Sequence, residues 1–192
     1  KSNLTLNNIS FYYKGAKKDA VKNISLSIMK GQSVAFVGST GAGKSTLVDI
    51  ILGLLIPQQG QILIDDCKLE KCRSQWLCNI GYVPQSIYLT DDNLRNNIAF
   101  GIPEGLIDDD AIQKAISSAQ LESFVNHLPK GLDTIVGERG ARVSGGEKQR
   151  VAIARALYHD PDVLIFDEAT SSLDSETESE IVDAIERLAG KR

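Results

Sequence analysis

Residues 38–46 combine small residues with one lysine in the pattern G-x-x-x-x-G-K-[ST], whose chemistry is the binding of nucleotide phosphates. An apolar, strand-like run at 33–37 precedes the pattern, and a run at 47–52 that suits a helix follows it. A strand, a glycine turn and a helix start direct several backbone N–H groups at one point, which attracts phosphate. The sequence therefore predicts a phosphate-binding loop made of Gly38, Ser39, Thr40, Gly41, Ala42, Gly43, Lys44, Ser45 and Thr46.

Two side chains of this loop add chemistry of their own. The ammonium group of Lys44 supplies a mobile positive charge for the β- and γ-phosphates, and the hydroxyl of Ser45 is a ligand for Mg²⁺. The alternative is a glycine-rich turn with a stray lysine, which the flanking strand and helix patterns disfavour.

A second group of reactive residues closes the apolar run at 163–166. A strand this apolar is typically buried on both faces of a parallel sheet, and an acid at its carboxyl end points into the ligand crevice. Asp167 then suits Mg²⁺, held directly or through water, and Glu168 suits the general base for an attacking water. Two solvated acids at a strand end are the alternative, which loses weight beside a phosphate-binding loop.

A third motif begins at residue 143 and reads VSGGEKQR. Ser144 can cap a helix that we predict over Gly145–Leu157, and the glycines Gly145 and Gly146 allow an anion to approach its first N–H groups closely. A plain helix cap is the alternative, because Ser-Gly-Gly is common in loops.

The elements that position these motifs can be read from hydrophobic periodicity. Alternation at 4–6, 9–13 and 21–28 predicts an antiparallel β-layer in the N-terminal part. Residues 61–65 predict another strand, and 80–85 a short one. Helices are predicted at 93–100, with Asp92 as a possible cap, and at 108–120, 121–128 and 176–189. A mostly helical segment therefore separates two α/β portions.

Composition limits the class of protein. The chain has 192 residues, 42% of them hydrophobic, which is enough for one α/β domain with a subdomain. A net charge of −4 argues against a general nucleic-acid surface. No apolar run approaches the roughly 18 residues that cross a bilayer, and no signal peptide is visible. Because the chain begins without a methionine, we expect an excised piece of a longer protein.

Three cysteines, Cys67, Cys72 and Cys78, lie close together, but their spacing does not match the common zinc pairs. The two histidines, His127 and His159, lie elsewhere in the chain. We therefore expect no metal site there, and instead small buried or half-buried thiols in a reducing cytosol.

With its three motifs in this order, nearly the whole chain resembles the ATP-binding-cassette (ABC) ATPase family. The family signature is usually written LSGGQ, and here Val143 and Glu147 replace its first and last residues. The resemblance implies an α/β fold: a P-loop NTPase core with a mostly parallel sheet, an N-terminal antiparallel β-layer and an inserted helical subdomain. It divides the chain into an ATP-binding core at 1–85 and 145–192 and a helical signature subdomain at 86–144.

The same resemblance implies roles for further residues in binding and hydrolysing ATP with Mg²⁺. Tyr13 would stack on adenine, whereas alternation puts Tyr12 on the opposite face; a plain β-surface tyrosine is the alternative. Gln85 would sense γ-phosphate, Mg²⁺ or water, unless it is an ordinary loop amide. Asp174 would signal between two ATP sites, or cap the helix that follows, or do both. Residues 134–140 resemble the X-loop of exporters, unless Glu138 and Arg139 are simply a solvated pair.

In this family the active unit is a head-to-tail dimer. Ser144, Gly145 and Gly146 would contact the γ-phosphate held by a second cassette, and a transmembrane domain, expected on the same polypeptide, would be the other partner. The resemblance thus implies a domain at the cytoplasmic face of the cell membrane, with no nucleic-acid partner. Neither histidine stands where the family carries its switch histidine, so we expect residues 1–192 alone to hydrolyse ATP weakly.

Other functions remain open on the sequence. A soluble ABC ATPase acting on DNA or the ribosome is disfavoured, because Ser144 follows Lys44 by only 100 positions with no heptad run. An importer cassette is the closer rival. A P-loop kinase or GTPase does not need the Ser-Gly-Gly helix start. The run 87–98 resembles bacterial lipid or oligosaccharide flippases, but drugs, peptides and lipids all stay open as substrates.

Overall fold

A computed structural model describes residues 3–138 and 140–167, which form two compact units, one ending at residue 80 and one beginning at residue 81. The predictions for Glu168 and Asp174, for the helix at 176–189 and for Arg139 lie outside the described residues. Within the described part, none of the helices has the length and apolar character needed to cross a membrane.

The first unit contains a four-stranded sheet in the order β2-β1-β3-β4. The strands are β1 (Asn3–Phe11), β2 (Val21–Met29), β3 (Gln59–Ile64) and β4 (Cys67–Lys68), and each pairing is antiparallel. The central strand β1 buries Leu6 and Ile9, which contribute to the core of the unit. Asn8, between them, has a φ of 52° at a shift in register, as in a β-bulge. The predicted antiparallel layer is confirmed.

Two helices complete this unit, α1 (Lys44–Ile51) and α2 (Leu69–Cys78). Helix α1 is predicted by the sequence, but α2 is not, because Leu69 and Trp76 are the two buried residues of α2 and leave little apolar periodicity. The indole Nε1 of Trp76 donates a hydrogen bond to the carbonyl oxygen of Ile51 at 2.8 Å. Trp76 therefore joins α2 to the end of α1.

The strand predicted at 33–37 is wrong in this structure. These residues lie outside regular secondary structure, and Val34 and Val37 are 44% and 94% exposed. A buried parallel strand is held by strands on both sides, and none of the described strands pairs with this segment. Consequently the mostly parallel central sheet is not seen among residues 3–138 and 140–167.

The second unit combines a two-stranded sheet with four α-helices among its described residues. The strands predicted near 80–85 and 163–166 are present as β5 (Ile80–Val83) and β6 (Val163–Phe166), and the two pair with each other. The helices are α3 (Leu94–Ile98), α4 (Asp109–Ser118), α5 (Glu122–His127) and α6 (Gly145–Leu157). Helix α6 packs against α3 and α4 around a buried apolar cluster that includes Leu94, Ile98, Ile112, Ile116, Leu121, Val151 and Ile153.

Most predicted helix positions in this unit are confirmed, and one cap is corrected. Helix α3 is shorter than the predicted 93–100, and its cap is Asn93 rather than Asp92, because the Asn93 side chain accepts a hydrogen bond from the N–H of Asn96. Helix α4 is capped by Asp108, whose carboxylate accepts from Asp110 and Ala111. The exact division into an ATP-binding core and a signature subdomain stays a prediction.

Candidate nucleotide-binding residues

The phosphate-binding loop turns tightly into α1 through two glycines in left-handed conformation. Gly41 has a φ of 81° and Gly43 a φ of 91°, and the N–H of Ala42 donates to the carbonyl oxygen of Ser39 at 3.1 Å. A Cβ on Gly43 would collide with the carbonyl oxygen of Ala20. Only glycine suits this position, because any other residue would be strained at this φ and its side chain would have no room.

The start of α1 offers positive potential to an anion. Its cap is Gly43, which has no side-chain oxygen, and its first turn is formed by Lys44, Ser45 and Thr46. The helix dipole and the amino-terminal N–H groups therefore favour an anion here. The ammonium of Lys44 lies over its own loop, donating to the carbonyl oxygens of Gly38 at 2.9 Å and Ser39 at 3.3 Å.

Tyr13 lies beside the first turn of α1. Its hydroxyl is 3.1 Å from the hydroxyl of Thr46, and its ring meets Phe11 edge-on with centroids 5.0 Å apart. Tyr12, by contrast, is positioned through its backbone N–H, which donates to the Gln58 side chain. The structure thus brings the Tyr13 hydroxyl to the last residue of the phosphate-binding loop.

In the second unit, Gln85 and Asp167 lie just beyond the carboxyl ends of the paired strands β5 and β6. The N–H of Asp167, the residue after β6, donates to the carbonyl oxygen of Val83, the last residue of β5, at 3.0 Å. The hydroxyl of Tyr82 lies 3.5 Å from a carboxylate oxygen of Asp167. Gln85 is exposed just beyond β5. Side chains at the carboxyl ends of adjacent strands are suited to meet one ligand.

The start of α6 is a capping box built from Ser144 and Glu147. The carboxylate of Glu147 accepts from the N–H and from the hydroxyl of Ser144, each at 2.7 Å, and the N–H of Glu147 lies 3.3 Å from the Ser144 oxygen. Gly145 and Gly146 form the first turn of the helix. The predicted cap is confirmed. The role of Glu147 was missed, although Ser-x-x-Glu before a helix is its sequence signal.

A second missed feature is a buried network around Asn97 and Arg155. Asn97 is fully buried, and its side-chain oxygen accepts from the N–H and the hydroxyl of Thr90 at 2.9 and 3.2 Å. The guanidinium of Arg155, on α6, donates to the carbonyl oxygens of Asn97 and Tyr88 and lies 5.0 Å from the Phe100 ring centre. Burial lowers the pKa of Arg155. The segment beyond Gln85 is therefore held to the last turn of α6.

Comparison with known proteins identifies the family of this chain. A family model described as "ABC transporter" matches residues 21–171, which is most of the chain. The chain belongs to the ABC transporter family. The resemblance inferred from its motifs is confirmed.

Similar proteins place this ABC transporter domain close to exporters. It is 44% identical, over 97% of its length, to the ATP-dependent lipid A-core flippase 2 of Colwellia psychrerythraea. It is 40% identical, over its whole length, to ABC transporter B family member 21 of Arabidopsis thaliana. A solved bacterial Atm1-family ABC exporter with ATP bound superposes with a TM-score of 0.87 at 37% identity over the whole chain. The chain is thus a nucleotide-binding domain of the exporter type.

The relatives are much longer than this domain. The chain covers 32% of the Colwellia flippase, 15% of the Arabidopsis transporter and 34% of the solved exporter chain. What these proteins do as wholes therefore enters only as a proposal for the present ABC transporter domain.

Proposed function

We propose that this domain binds ATP with Mg²⁺ and hydrolyses it, and that ATP-driven pairing of two cassettes moves a substrate across a membrane. The observation that carries the proposal is the phosphate-binding loop, in which Gly41 and Gly43 turn the backbone into a helix that starts at Lys44. A glycine-capped helix start with a lysine suits a polyphosphate. Family membership supports ATP as the nucleotide.

The remaining parts of the nucleotide have candidate partners. Tyr13, half-exposed and anchored to Thr46, stacks on adenine. Ser45, Gln85 and Asp167 supply hydroxyl, amide and carboxylate oxygens, the donor set that Mg²⁺ prefers. When bound, Mg²⁺ neutralises charge that develops on the phosphates during transfer.

Three side chains have proposed roles in the hydrolysis of ATP. Glu168 accepts a proton from the attacking water as general base. Lys44 stabilises the charge on the γ-phosphate, and Gln85 orients the water. Ser144, Gly145, Gly146 and Asp174 of a second cassette complete the site, since the amino-terminal end of α6 favours an anion in the same way as α1.

The longer relatives support a proposed arrangement of the whole protein. A transmembrane domain on the same polypeptide places this domain at the cytoplasmic face of the membrane, without a nucleic-acid partner. The core at 1–85 and 145–192 carries the ATP site, and the helical part at 86–144 carries the signature. The exporter-type relatives favour this function over an importer or a soluble ABC ATPase.

Residues 1–192 alone are proposed to turn ATP over weakly, because neither His127 nor His159 stands at the sequence position where the family resemblance implies a γ-phosphate sensor. His127 is engaged locally, with Nδ1 2.6 Å from the carbonyl oxygen of Ser123, and His159 meets Tyr158 edge-on. Phosphate release by residues 1–192, compared with the full-length protein, tests this point. Equal turnover per ATP site would overturn it.

The proposed function is tested by nucleotide binding and mass of the chain in three variants. Glu168→Gln removes the proposed general base, and Lys44→Ala removes the positive charge that would bind the phosphates. Lys114→Ala removes an exposed lysine of α4 and is the matched control. We expect Glu168→Gln to bind ATP–Mg²⁺ and to form dimers only with nucleotide, Lys44→Ala to do neither, and Lys114→Ala to bind like the parent.

Circular dichroism separates loss of binding from loss of fold in the same variants. A folded Lys44→Ala chain that binds ATP like the parent would contradict the assignment of 38–46 as the nucleotide site. A Glu168→Gln chain that binds ATP as a monomer would show that pairing needs the rest of the protein.

For the transported substrate we propose an amphipathic lipid or lipid-linked oligosaccharide, a class to which the names of several relatives point. The full-length protein in vesicles should raise its ATP turnover with such a lipid. Equal stimulation by short peptides or by cationic drugs would contradict this choice.

A further inference from the structure

Two thiols meet at the junction of β4 and α2. The sulfur of Cys67 lies 3.6 Å from the carbonyl oxygen of Lys68, and the sulfur of Cys72 lies 3.4 Å from the same oxygen. The Cys72 sulfur is also 4.0 Å from the carbonyl oxygen of Cys67. Two thiols that share one acceptor are close enough for local motion to bring them into contact.

The backbone at this junction is able to adjust. Cys72 has φ −118° and ψ 18°, which breaks the regular geometry of α2 one turn after its start. A disulfide requires a specific separation and torsion of its two cysteines, so a rigid helix would resist closure. The kink at Cys72 leaves room for closure without unwinding the rest of the helix.

The two cysteines differ in access to solvent. Cys67 is exposed, whereas Cys72 is half-buried, so the expectation of buried or half-buried thiols was wrong for Cys67, and for the exposed Cys78 too. Burial raises the pKa of Cys72, and so do the hydrogen bond to Cys67 and the negative charge of the Cys67 thiolate. Cys67 is therefore the residue that meets an oxidant first, and Cys72 the residue that resolves the product.

We propose that Cys67 and Cys72 form a reversible intramolecular disulfide. They do so by thiol–disulfide exchange with a small disulfide such as oxidised glutathione. The Cys67 thiolate attacks the small disulfide, forms a mixed disulfide and releases one thiolate of the reagent. The Cys72 thiolate then attacks the Cys67 sulfur and releases the second. Two protein thiols are oxidised, one small disulfide is reduced to two thiols, and the two protons are shared among the released thiolates and solvent.

The two cysteines lie close to the contact between α2 and α1, so a disulfide between them would affect that contact. Trp76 lies one helical turn after Cys72, is buried, and bonds to the carbonyl oxygen of Ile51 at the end of α1. Closing the pair restrains the start of α2 and so acts on the contact that supports the helix of the phosphate-binding loop. A small, exposed ring is the labile kind of disulfide, suited to a transient signal in a reducing compartment.

The test treats the full-length protein with oxidised glutathione, blocks the remaining thiols with an alkylating agent and maps the modified peptides by mass spectrometry. Cys78, exposed at the end of the same helix, is an internal control. The parent should lose the thiols of Cys67 and Cys72 together, as one internal disulfide, while Cys78 stays open to the alkylating agent. Dithiothreitol should restore both thiols.

Single variants separate the two steps. In Cys72→Ser the mixed disulfide at Cys67 has no internal resolving thiol, so it should accumulate about tenfold above its level in the parent. In Cys67→Ser, Cys72 should stay reduced, and Cys78→Ser should behave like the parent. Equal reaction of Cys78, a mixed disulfide that persists on Cys67 in the parent, or links only between chains would overturn the proposal.

The fluorescence of Trp76, the single tryptophan of the sequence, follows the structural effect in the isolated chain. Oxidation should change its emission in the parent and in Cys78→Ser, and leave Cys67→Ser and Cys72→Ser unchanged. If the Trp76 emission does not change when the disulfide forms, the link to α1 is overturned. The chemical readouts do not involve ATP, so their failure is distinguishable from failure of the proposed function.

Discussion

The hydroxyl of Tyr13 lies 3.1 Å from the hydroxyl of Thr46, which joins the chain just after β1 to the first turn of α1. Thr46 is buried while Tyr13 is half-exposed, so the bond fixes one end of the phenol ring and leaves a face of the ring open. An exposed, anchored aromatic ring beside a phosphate-binding loop suits the base of a nucleotide.

Replacing Tyr13 with alanine should weaken ATP binding about tenfold or more, because stacking of a base on an aromatic side chain contributes roughly 1–3 kcal/mol. Tyr13→Phe should keep the stacking and lose only the bond to Thr46. Isothermal titration calorimetry with ATP measures the affinity of both variants. Tyr12→Ala is the matched control, since Tyr12 has similar exposure. A larger loss of affinity in Tyr12→Ala would assign adenine to the neighbouring tyrosine.

The two left-handed glycines of the phosphate-binding loop should differ in their tolerance of alanine. At Gly41 an added Cβ meets open space, so Gly41→Ala should cost only the left-handed strain of about 1–2 kcal/mol. At Gly43 the Cβ also collides with the carbonyl oxygen of Ala20, so the loop must move. We expect Gly43→Ala to lose ATP affinity much more than Gly41→Ala. Equal affinities of the two variants, both folded by circular dichroism, would contradict this geometry.

Glu147→Gln should strengthen nucleotide-driven pairing several-fold. The Glu147 carboxylate holds both donors of Ser144 and lies where we propose that the γ-phosphate of a partner cassette approaches. A glutamine keeps an acceptor for the capping box but removes the like charge. Sedimentation of the Glu168→Gln chain with ATP–Mg²⁺ measures the effect, which should shrink at high salt because screening weakens repulsion.

Glu122→Gln is the control for Glu147→Gln. Glu122 also lies in the first turn of a helix, α5, but α5 does not carry the signature. If both substitutions strengthen pairing equally, the gain reflects net charge, and the specific role of Glu147 is wrong.

Asn97→Ala should lower the free energy of unfolding by about 2–4 kcal/mol, because it leaves buried polar partners without their bonds. Its side chain accepts from Thr90 and donates to the carbonyl oxygens of Thr90 and Asn93. Asn96→Ala is the matched control, since the Asn96 side chain bonds to the exposed carboxylate of Asp92. Urea unfolding compares the two. A loss in Asn97→Ala no greater than that in Asn96→Ala would show that the network adds little.

Local patterns were predicted well from the sequence. The bounds of α6 and its cap at Ser144 follow from the Ser-Gly-Gly start and the apolar stripe, because capping and helical periodicity depend on residues within a few positions of one another. The left-handed turn before α1 likewise follows from its glycines. The antiparallel layer was predicted because alternation is a local property of each strand.

The order of its motifs by itself determined the family of this protein and the residues proposed to bind ATP. Tertiary structure alone decided that the Tyr13 hydroxyl bonds to Thr46, how Arg155 reaches Asn97 across 58 positions, and that Trp76 supports α1. It also decided that 33–37 forms no strand among the described residues, against an apolar pattern that predicted one. These outcomes depend on partners far away in the chain, because a strand needs neighbouring strands and a buried polar group needs an acceptor that local sequence does not specify.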